Sequence, residues 1–223
     1  KAASQAGPDK HKREITQSIG EFLSLTDDAR TNKEGKVCVL GGGAFGTSLA
    51  YASAQNGFRV SLYCRDAVQV STINEQHCNP RYLSDTVLPS SIVATTDLKE
   101  AVEGCMLIIL ALPCQKTPDF FRQHRKVIPG GVVICVTAKG LYLPTRQLIG
   151  DAIEDALAAG DEQIRNANQN ERPTRKPNPL AFFSGPTFAA EIVKNNPTVA
   201  VVASQTLYHA VHVQKILSNE TNF

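Results

Sequence analysis

The sequence predicts an α/β protein built on a doubly wound, Rossmann-type sheet. Three observations carry that expectation. From Lys36 onward, short apolar runs alternate with amphipathic stretches of helical length, the signature of βα units stacked into a parallel sheet with helices on both faces. Two of the runs, Met106–Leu112 (MLIILAL) and Val132–Val136 (VVICV), are continuously apolar, as strands covered on both faces must be. The first run, Lys36–Leu40 (KVCVL), leads straight into a glycine turn, and a helical pattern leaves that turn.

The elements follow in order. After the strand Lys36–Leu40, a helix is expected over Ala44–Asn56, stopped by Gly57. Val60–Cys64 (VSLYC) reads as the second strand, followed by a helix over about Ala67–His77 and a loop at Asn79–Pro89. Ile92–Ala94 is a short third strand, and Asp97 has the chemistry of an N-cap for a helix that ends at Gly104. Between the two continuous apolar runs a helix is expected over roughly Pro118–Val127. Thr145–Ala159 places Leu148, Ile149, Ile153, Ala156 and Leu157 on one helical face. Residues 160–179, rich in Asn, Gln, Arg, Glu and Pro, read as an exposed insertion or long loop. A strand at Leu180–Phe183, a helix at Ala189–Lys194, a strand at Thr198–Ala203 and a helix at Leu207–Leu217 complete the chain. Residues 1–35 form a polar extension with no apolar segment of a secretory signal. The domain proper is expected over residues 36–223.

Composition narrows the function. The 223 residues are 42% hydrophobic and 20% charged, enough apolar material for a core and too little charge for a disordered chain. Lys and Arg number 23 against 21 Asp and Glu, a balance that makes no electrostatic case for nucleic acid or a membrane surface. No apolar run approaches the roughly 20 residues that cross a bilayer. The six cysteines form no C-x-x-C pair and have no histidine at metal-ligand spacing, so reduced structural thiols and no metal site are expected. The chain starts at Lys1 and its one methionine is Met106, so it is expected to be processed, trimmed or a fragment.

The glycine turn is the first functional motif. Gly41-Gly42-Gly43-Ala44-Phe45-Gly46 matches G-x-G-x-x-G between a strand and a helix, the context a dinucleotide fingerprint requires. Gly41 would allow the tight turn, Gly43 the approach of a pyrophosphate, and Gly46 close packing of helix on strand. The pyrophosphate would lie at the N-terminus of the following helix, where free N–H groups favour anions. About 20 residues beyond Gly46, where an acidic side chain holds a ribose hydroxyl in NAD-binding proteins, stands Asp66. Arg65 stands beside it and could pair with a 2′-phosphate or stack on adenine. Both can equally be solvated charges at a helix start. Side by side, they predict a modest preference for NADH over NADPH.

The succession GGGAFG, NPRYL with LP close behind, ALP, TAKG, and SGPTFAAE with NPTV resembles the NAD-dependent glycerol-3-phosphate dehydrogenase family. The likeness runs from about Lys36 to Phe223 and is nearest to the bacterial-type branch in SGPTFAAE. It implies an oxidoreductase that passes hydride between C2 of sn-glycerol 3-phosphate and nicotinamide C4, interconverting that substrate with dihydroxyacetone phosphate. It also implies NAD as cofactor, a homodimer when full length, and the cytoplasm. An organelle is the alternative if the N-terminal extension is a targeting remnant.

Carried over residue by residue, the resemblance makes Lys139 of Thr137-Ala138-Lys139-Gly140 the first active-site lysine, in contact with substrate and cofactor. Following the strand VVICV, its ammonium would reach the carboxyl edge of the sheet, where a cation can steady a developing alkoxide. The bland alternative is a surface lysine in a loop. Gly185 and Thr187 are implied to touch substrate, Ala189 the cofactor, and Phe45 the nicotinamide. Thr187 would serve equally as a helix N-cap, and Phe45 as a core aromatic. Leu112-Pro113 closes the strand after which the chain is implied to line the cofactor cleft; the family often carries an aromatic near Lys116, so cofactor contact is not carried over to that point. The family's second lysine, a proton acceptor in G-A-L-K-N, and the Arg-Asn pair that grips the substrate phosphate belong to an all-helical C-terminal domain. The chain as given stops at Leu217–Phe223, where the strand leading to that lysine is expected to begin, and no later lysine is there to take its role. The chain as given is therefore expected to turn over negligibly alone, and the competing reading is a nicotinamide-nucleotide-binding module without turnover.

Overall fold

The computed structural model describes residues 35–158 and 175–219. Within them a seven-stranded sheet is built from β1 (Lys36–Leu40), β2 (Arg59–Tyr63), β3 (Ile92–Thr95), β4 (Cys105–Leu110), β5 (Val133–Val136), β8 (Leu180–Ser184) and β9 (Val201–Ser204). A small hairpin supplies β6 (Leu141–Tyr142) and β7 (Gln147–Leu148). The helices are α1 (Ala44–Gln55), α2 (Ala67–Gln76), α3 (Leu98–Val102), α4 (Thr117–His124), α5 (Ile149–Ala158), α6 (Ala189–Val193) and α7 (Leu207–Leu217). Strand order is β3-β2-β1-β4-β5-β8-β9. All neighbours run parallel except β8 and β9.

Strand periodicity explains why both faces are covered. Alternate residues point to opposite faces. Val37 and Val39 of β1 join Leu107 and Ile109 of β4 in one core, which α1, α2, α6 and α7 cover. Cys38 and Leu40 join Ile108 and Leu110 in a second core under α3, α4 and α5. All eight side chains are fully buried, which is why these strands read as unbroken apolar runs. Helix starts use the side chains their sequence supplies. Asp97 accepts from the N–H groups of Lys99 and Glu100, at 2.8 and 3.3 Å, and so caps α3.

Three sequence expectations need correction. The helix expected over Thr145–Ala159 begins only at Ile149. The preceding residues instead form the β6–β7 hairpin, with Arg146 at φ 58, and Leu148 is 63% exposed rather than on the apolar face. The last strand starts at Val201 instead of Thr198 and runs antiparallel to β8. The short helix α6 packs on α1, so the chain re-enters the sheet from the edge at which β8 ended. Of the stretch expected to be exposed at 160–179, residues 160–174 lie outside the described residues. In the remainder Asn178 is buried, its amide donating to the carbonyls of Pro129 and Val132 at 2.8 Å each.

Candidate functional site

The sheet order reverses at β1, with β2 and β3 on one side and β4 and β5 on the other. The segments that leave the carboxyl ends of these strands diverge there, and ligands of open α/β sheets bind in the crevice between them. A cleft of about 540 Å³ opens at this point. It is lined after β1 by Gly41, Gly42, Gly43 and Phe45, after β2 by Arg65 and Asp66, after β4 by Ala111–Cys114, and after β5 by Thr137, Ala138 and Lys139.

Gly41 has φ +119, a conformation L side chains rarely adopt, and a Cβ would sit 2.6 Å from the Ala111 carbonyl oxygen. The turn and the close approach of β4 both need glycine there. Gly43 differs. Its φ of −74 is open to any residue, and a Cβ would meet no atom within 4 Å. What a side chain would occupy at Gly43 is the cleft itself, above the N-terminus of α1. Gly46 packs the helix against the strand so closely that a Cβ would collide with the Gly41 carbonyl. The first turn of α1 carries no acidic side chain, so nothing competes for the free N–H groups at the helix start.

A buried polar network holds this turn from behind. Asn79, fully buried, donates to the Gly42 carbonyl (3.0 Å) and the Thr47 hydroxyl (2.8 Å). Its Oδ1 accepts from Gln69 Nε2 (3.0 Å) and from the Arg81 backbone N–H (3.3 Å). Gln69 Nε2 also donates to the Gly42 carbonyl, at 2.6 Å. Below the turn, burial pushes the Cys64 thiol up to about 12, so the sulfur stays neutral.

The charged residues lining the cleft are Arg65, Arg81 and Lys139 against one carboxylate, Asp66. Asp66 caps α2, accepting from the N–H groups of Val68 (2.9 Å) and Gln69 (3.4 Å), and its other oxygen lies 3.5 Å from Arg81 Nη1. The cleft is thus electropositive, with a helix N-terminus at its floor. It suits an extended dianion.

At the far end the Lys139 ammonium donates to the Gly185 carbonyl at 3.1 Å, bringing together two residues 46 positions apart. Gln115 anchors the hairpin that follows Lys139, donating to the Leu141 carbonyl (2.8 Å) and accepting from the Leu143 N–H (3.0 Å). Thr187 and Ala189 do not line the cleft. Thr187 does not cap α6 either, because the N-cap position is Phe188, which makes no side-chain cap bond. Phe45 lines the cleft and packs on Phe183 with centroids 6.3 Å apart, so it serves cleft and core together. Lys194, at the end of α6, and Lys215, on α7, lie outside the cleft. Sequence reading did not single out Gln69, Asn79 and Arg81. The NPRYL motif that holds two of them sits at the end of a helix that returns to the glycine turn. Among the described residues no group of His, Cys, Asp and Glu could hold a metal ion.

A doubly wound sheet, a glycine fingerprint at the first βα turn and an electropositive cleft at the switch point define a dinucleotide-binding domain of the Rossmann class. Comparison with known proteins specifies which. The model of the NAD-dependent glycerol-3-phosphate dehydrogenase N-terminus matches residues 36–210, and the chain belongs to that family. Glycerol-3-phosphate dehydrogenase [NAD(P)+] of Nitratidesulfovibrio vulgaris is 35% identical over 75% of this chain and 46% of its own. The chloroplastic glycerol-3-phosphate dehydrogenase [NAD(+)] 2 of Arabidopsis thaliana is 33% identical over 88% of this chain and 44% of its own. The chain spans about half the length of the curated relatives it matches. The crystal structure of glycerol-3-phosphate dehydrogenase from Coxiella burnetii superposes with a TM-score of 0.72 over 85% of this chain and 53% of that one. At 24% identity, that likeness is one of fold.

Proposed function

We propose that the full-length protein is an NAD-dependent glycerol-3-phosphate dehydrogenase and that residues 36–223 form its cofactor-binding domain. The observation that carries this reading is the cleft: a glycine turn whose open side faces a helix N-terminus, with Lys139 at the other end. In the proposal the turn from Gly41 to Gly46, with Ala44 opening α1, holds the pyrophosphate of NAD. Arg65 meets the adenosine end, and Phe45 flanks the nicotinamide. The cofactor, when bound, supplies the hydride acceptor at its C4.

Lys139 would then meet the reacting oxygen of sn-glycerol 3-phosphate or dihydroxyacetone phosphate. Its ammonium, already oriented by the Gly185 carbonyl, would hold negative charge as the carbonyl and alkoxide interconvert. Gly185 and Thr187 would border the substrate and Ala189 the cofactor. The homodimer and the cytoplasm are part of the same proposal. Free thiols at all six cysteines support a reducing compartment, whereas the chloroplastic relative favours the organellar alternative. No helix among the described residues is long and apolar enough to cross a membrane.

NADH oxidation with dihydroxyacetone phosphate, followed for the full-length protein and for Lys139→Met, tests the reading. Turnover in the parent and a loss of about 100-fold or more in the variant are expected, the scale for removing a charge-stabilising donor. NADH binding by calorimetry with no turnover in the parent would establish the module reading instead.

A further inference from the structure

Lys139 stands on a turn whose two sides are held differently. Before it, Thr137 is buried, and its N–H and hydroxyl both donate to the Leu110 carbonyl, at 3.3 and 2.8 Å. That fixes where the chain leaves β5. After it comes Gly140 at φ +106, with open space where a Cβ would stand, so packing at Gly140 does not set the direction of departure. The β6–β7 hairpin that follows buries little of itself: Leu141 and Leu143 are 45% and 68% exposed. Two side-chain ties hold it to the segment after β4. Tyr142, buried, donates from its hydroxyl to Asp119 Oδ1 on α4 at 3.3 Å. Gln115 makes the other tie, Nε2 donating to the Leu141 carbonyl at 2.8 Å and Oε1 accepting from the Leu143 N–H at 3.0 Å. The Cys114 thiol adds a longer contact to the same carbonyl, at 3.6 Å. Of the two ties, that of Gln115 meets the backbone nearer to Lys139.

Resting on the proposed role of Lys139, we propose that Gln115 is a positioning residue for that lysine. It fastens the backbone beyond Gly140 to the segment after β4, and so sets where the ammonium meets the reacting oxygen. Pro113 and Cys114, directly before it, line the cleft. The segment that borders the cofactor site thus also carries the fastening, and the two keep one spacing. A primary amide suits this task because it donates and accepts at once, and the hairpin offers one carbonyl and one N–H. A carboxylate of the same shape only accepts, and would set an acceptor against the Leu141 carbonyl. Placement matters at this scale, since a shift on the order of 1 Å at a reacting group costs about 100-fold in rate.

Turnover of dihydroxyacetone phosphate with NADH by the full-length protein, in single and double variants, tests this. Gln115→Met and Gln115→Glu should each lower kcat by about 10- to 100-fold. KM should move less than about threefold, the pattern of an interaction realised in the transition state, and NADH affinity in calorimetry should be kept. In a Lys139→Met background, Gln115→Met should cost less than about twofold more, because a residue that acts through another is not additive with it. Thr145→Ala breaks a bond to Gln147 at the far turn of the same hairpin, and should leave kcat within about twofold, as exposed substitutions do. Hydrogen exchange at the Leu143 amide should quicken in Gln115→Met without a change in the thermal midpoint. A kcat within about twofold of the parent in both Gln115 variants overturns the role of Gln115. So does full multiplication of the two losses in the double variant, or an equal loss in Thr145→Ala. Parent-like turnover in Lys139→Met overturns the reading of the lysine itself, and the proposal with it.

Discussion

The centre of the sheet and its β8–β9 edge are built differently. Around β1 and β4 every strand residue from Val37 to Leu40 and from Leu107 to Leu110 is fully buried, and the glycine turn is locked from behind by Asn79 and Gln69. At β8 and β9, strand faces are half open: Val201 is 65% exposed and Phe182 37%, and β9 alternates exposed and half-buried residues along its length. The candidates Gly185 and Thr187 follow β8 at this edge, and the Lys139 ammonium after β5 is steadied by one backbone carbonyl, that of Gly185. Cofactor binding should therefore be a property of a rigid, pre-formed region. Substrate handling should depend on a looser one.

The largest expected effect is at Gly43. A valine there is tolerated by the backbone but fills the space above the α1 N-terminus. Losing one or two charge-assisted bonds to a pyrophosphate, about 1.5–3 kcal/mol each, should weaken NADH on the order of 100-fold. Unchanged NADH affinity in calorimetry would show that the pyrophosphate lies elsewhere and would dissolve the contrast between the centre of the sheet and its edge.

Next comes a pair of buried asparagines. Asn79→Ala removes four hydrogen bonds around the glycine turn and should cost about 1–3 kcal/mol of stability for the groups left unpaired. It should also weaken NADH by about tenfold, since a displaced Gly42 misaligns the turn. Asn178→Ala removes bonds to Pro129 and Val132 far from the cleft, and should lower stability comparably with little change in NADH affinity. Chemical denaturation and calorimetry on both variants give the answer. Equal loss of NADH affinity in the two would mean that the Asn79 network acts only through stability.

These two asparagines also show what the sequence made legible. The strands could be read because parallel strands covered on both faces leave continuous apolar runs, and the glycine turn because its spacing is local. Asn79 could not, because a polar residue after a helix reads as solvent-facing. Its burial depends on Gly42, 37 positions earlier in the chain. Arg81 follows from the same tertiary contact. The β6–β7 hairpin was hidden because Leu148 extends the helical pattern of α5 by one residue, while the left-handed φ of Arg146 has no signature in an arginine. The direction of β9 was hidden because it depends on where α6 docks. The cap that Thr187 offers by chemistry, as the alternative to a substrate contact, is not made, because Phe188 takes that position.

A smaller effect is expected in thiol labelling. Cys38, Cys64, Cys105 and Cys135 are buried, and burial raises each thiol, Cys105 to about 11 and Cys135 to about 12. They should stay unreactive in the folded protein. Cys78 and Cys114 are partly exposed, and Cys114 lines the cleft beside Pro113. Saturating NADH should slow alkylation of Cys114 several-fold and leave Cys78 unchanged, read by mass spectrometry of the labelled peptides. Equal protection of both, or of neither, would remove Cys114 from the cofactor's footprint.

The smallest effect sharpens how the two regions are joined. Helix α7, which covers the β8–β9 end, is tied to the first region by Asn56, which donates to the carbonyls of Ile216 (2.9 Å) and Ser218 (3.1 Å). His212 makes a second tie, its Nε2 3.1 Å from the Met106 carbonyl at β4. A carbonyl only accepts, so Nε2 carries the proton there. Burial lowers the His212 pKa below the ordinary histidine value, opposed by the bond to Met106 and reinforced by His209 and Lys215. The unfolded chain therefore takes up this proton at a higher pH than the folded one does. Between the two values stability rises with pH, and it falls as the medium is acidified through the ordinary value of about 6.5. His212→Gln can keep a donor for Met106 without the titration. Thermal unfolding of parent and variant between pH 7.5 and 5 should show a shallower acid-side fall in the variant. Parallel curves would mean that the joint between the two regions does not sense His212 protonation and is held by Asn56 and packing.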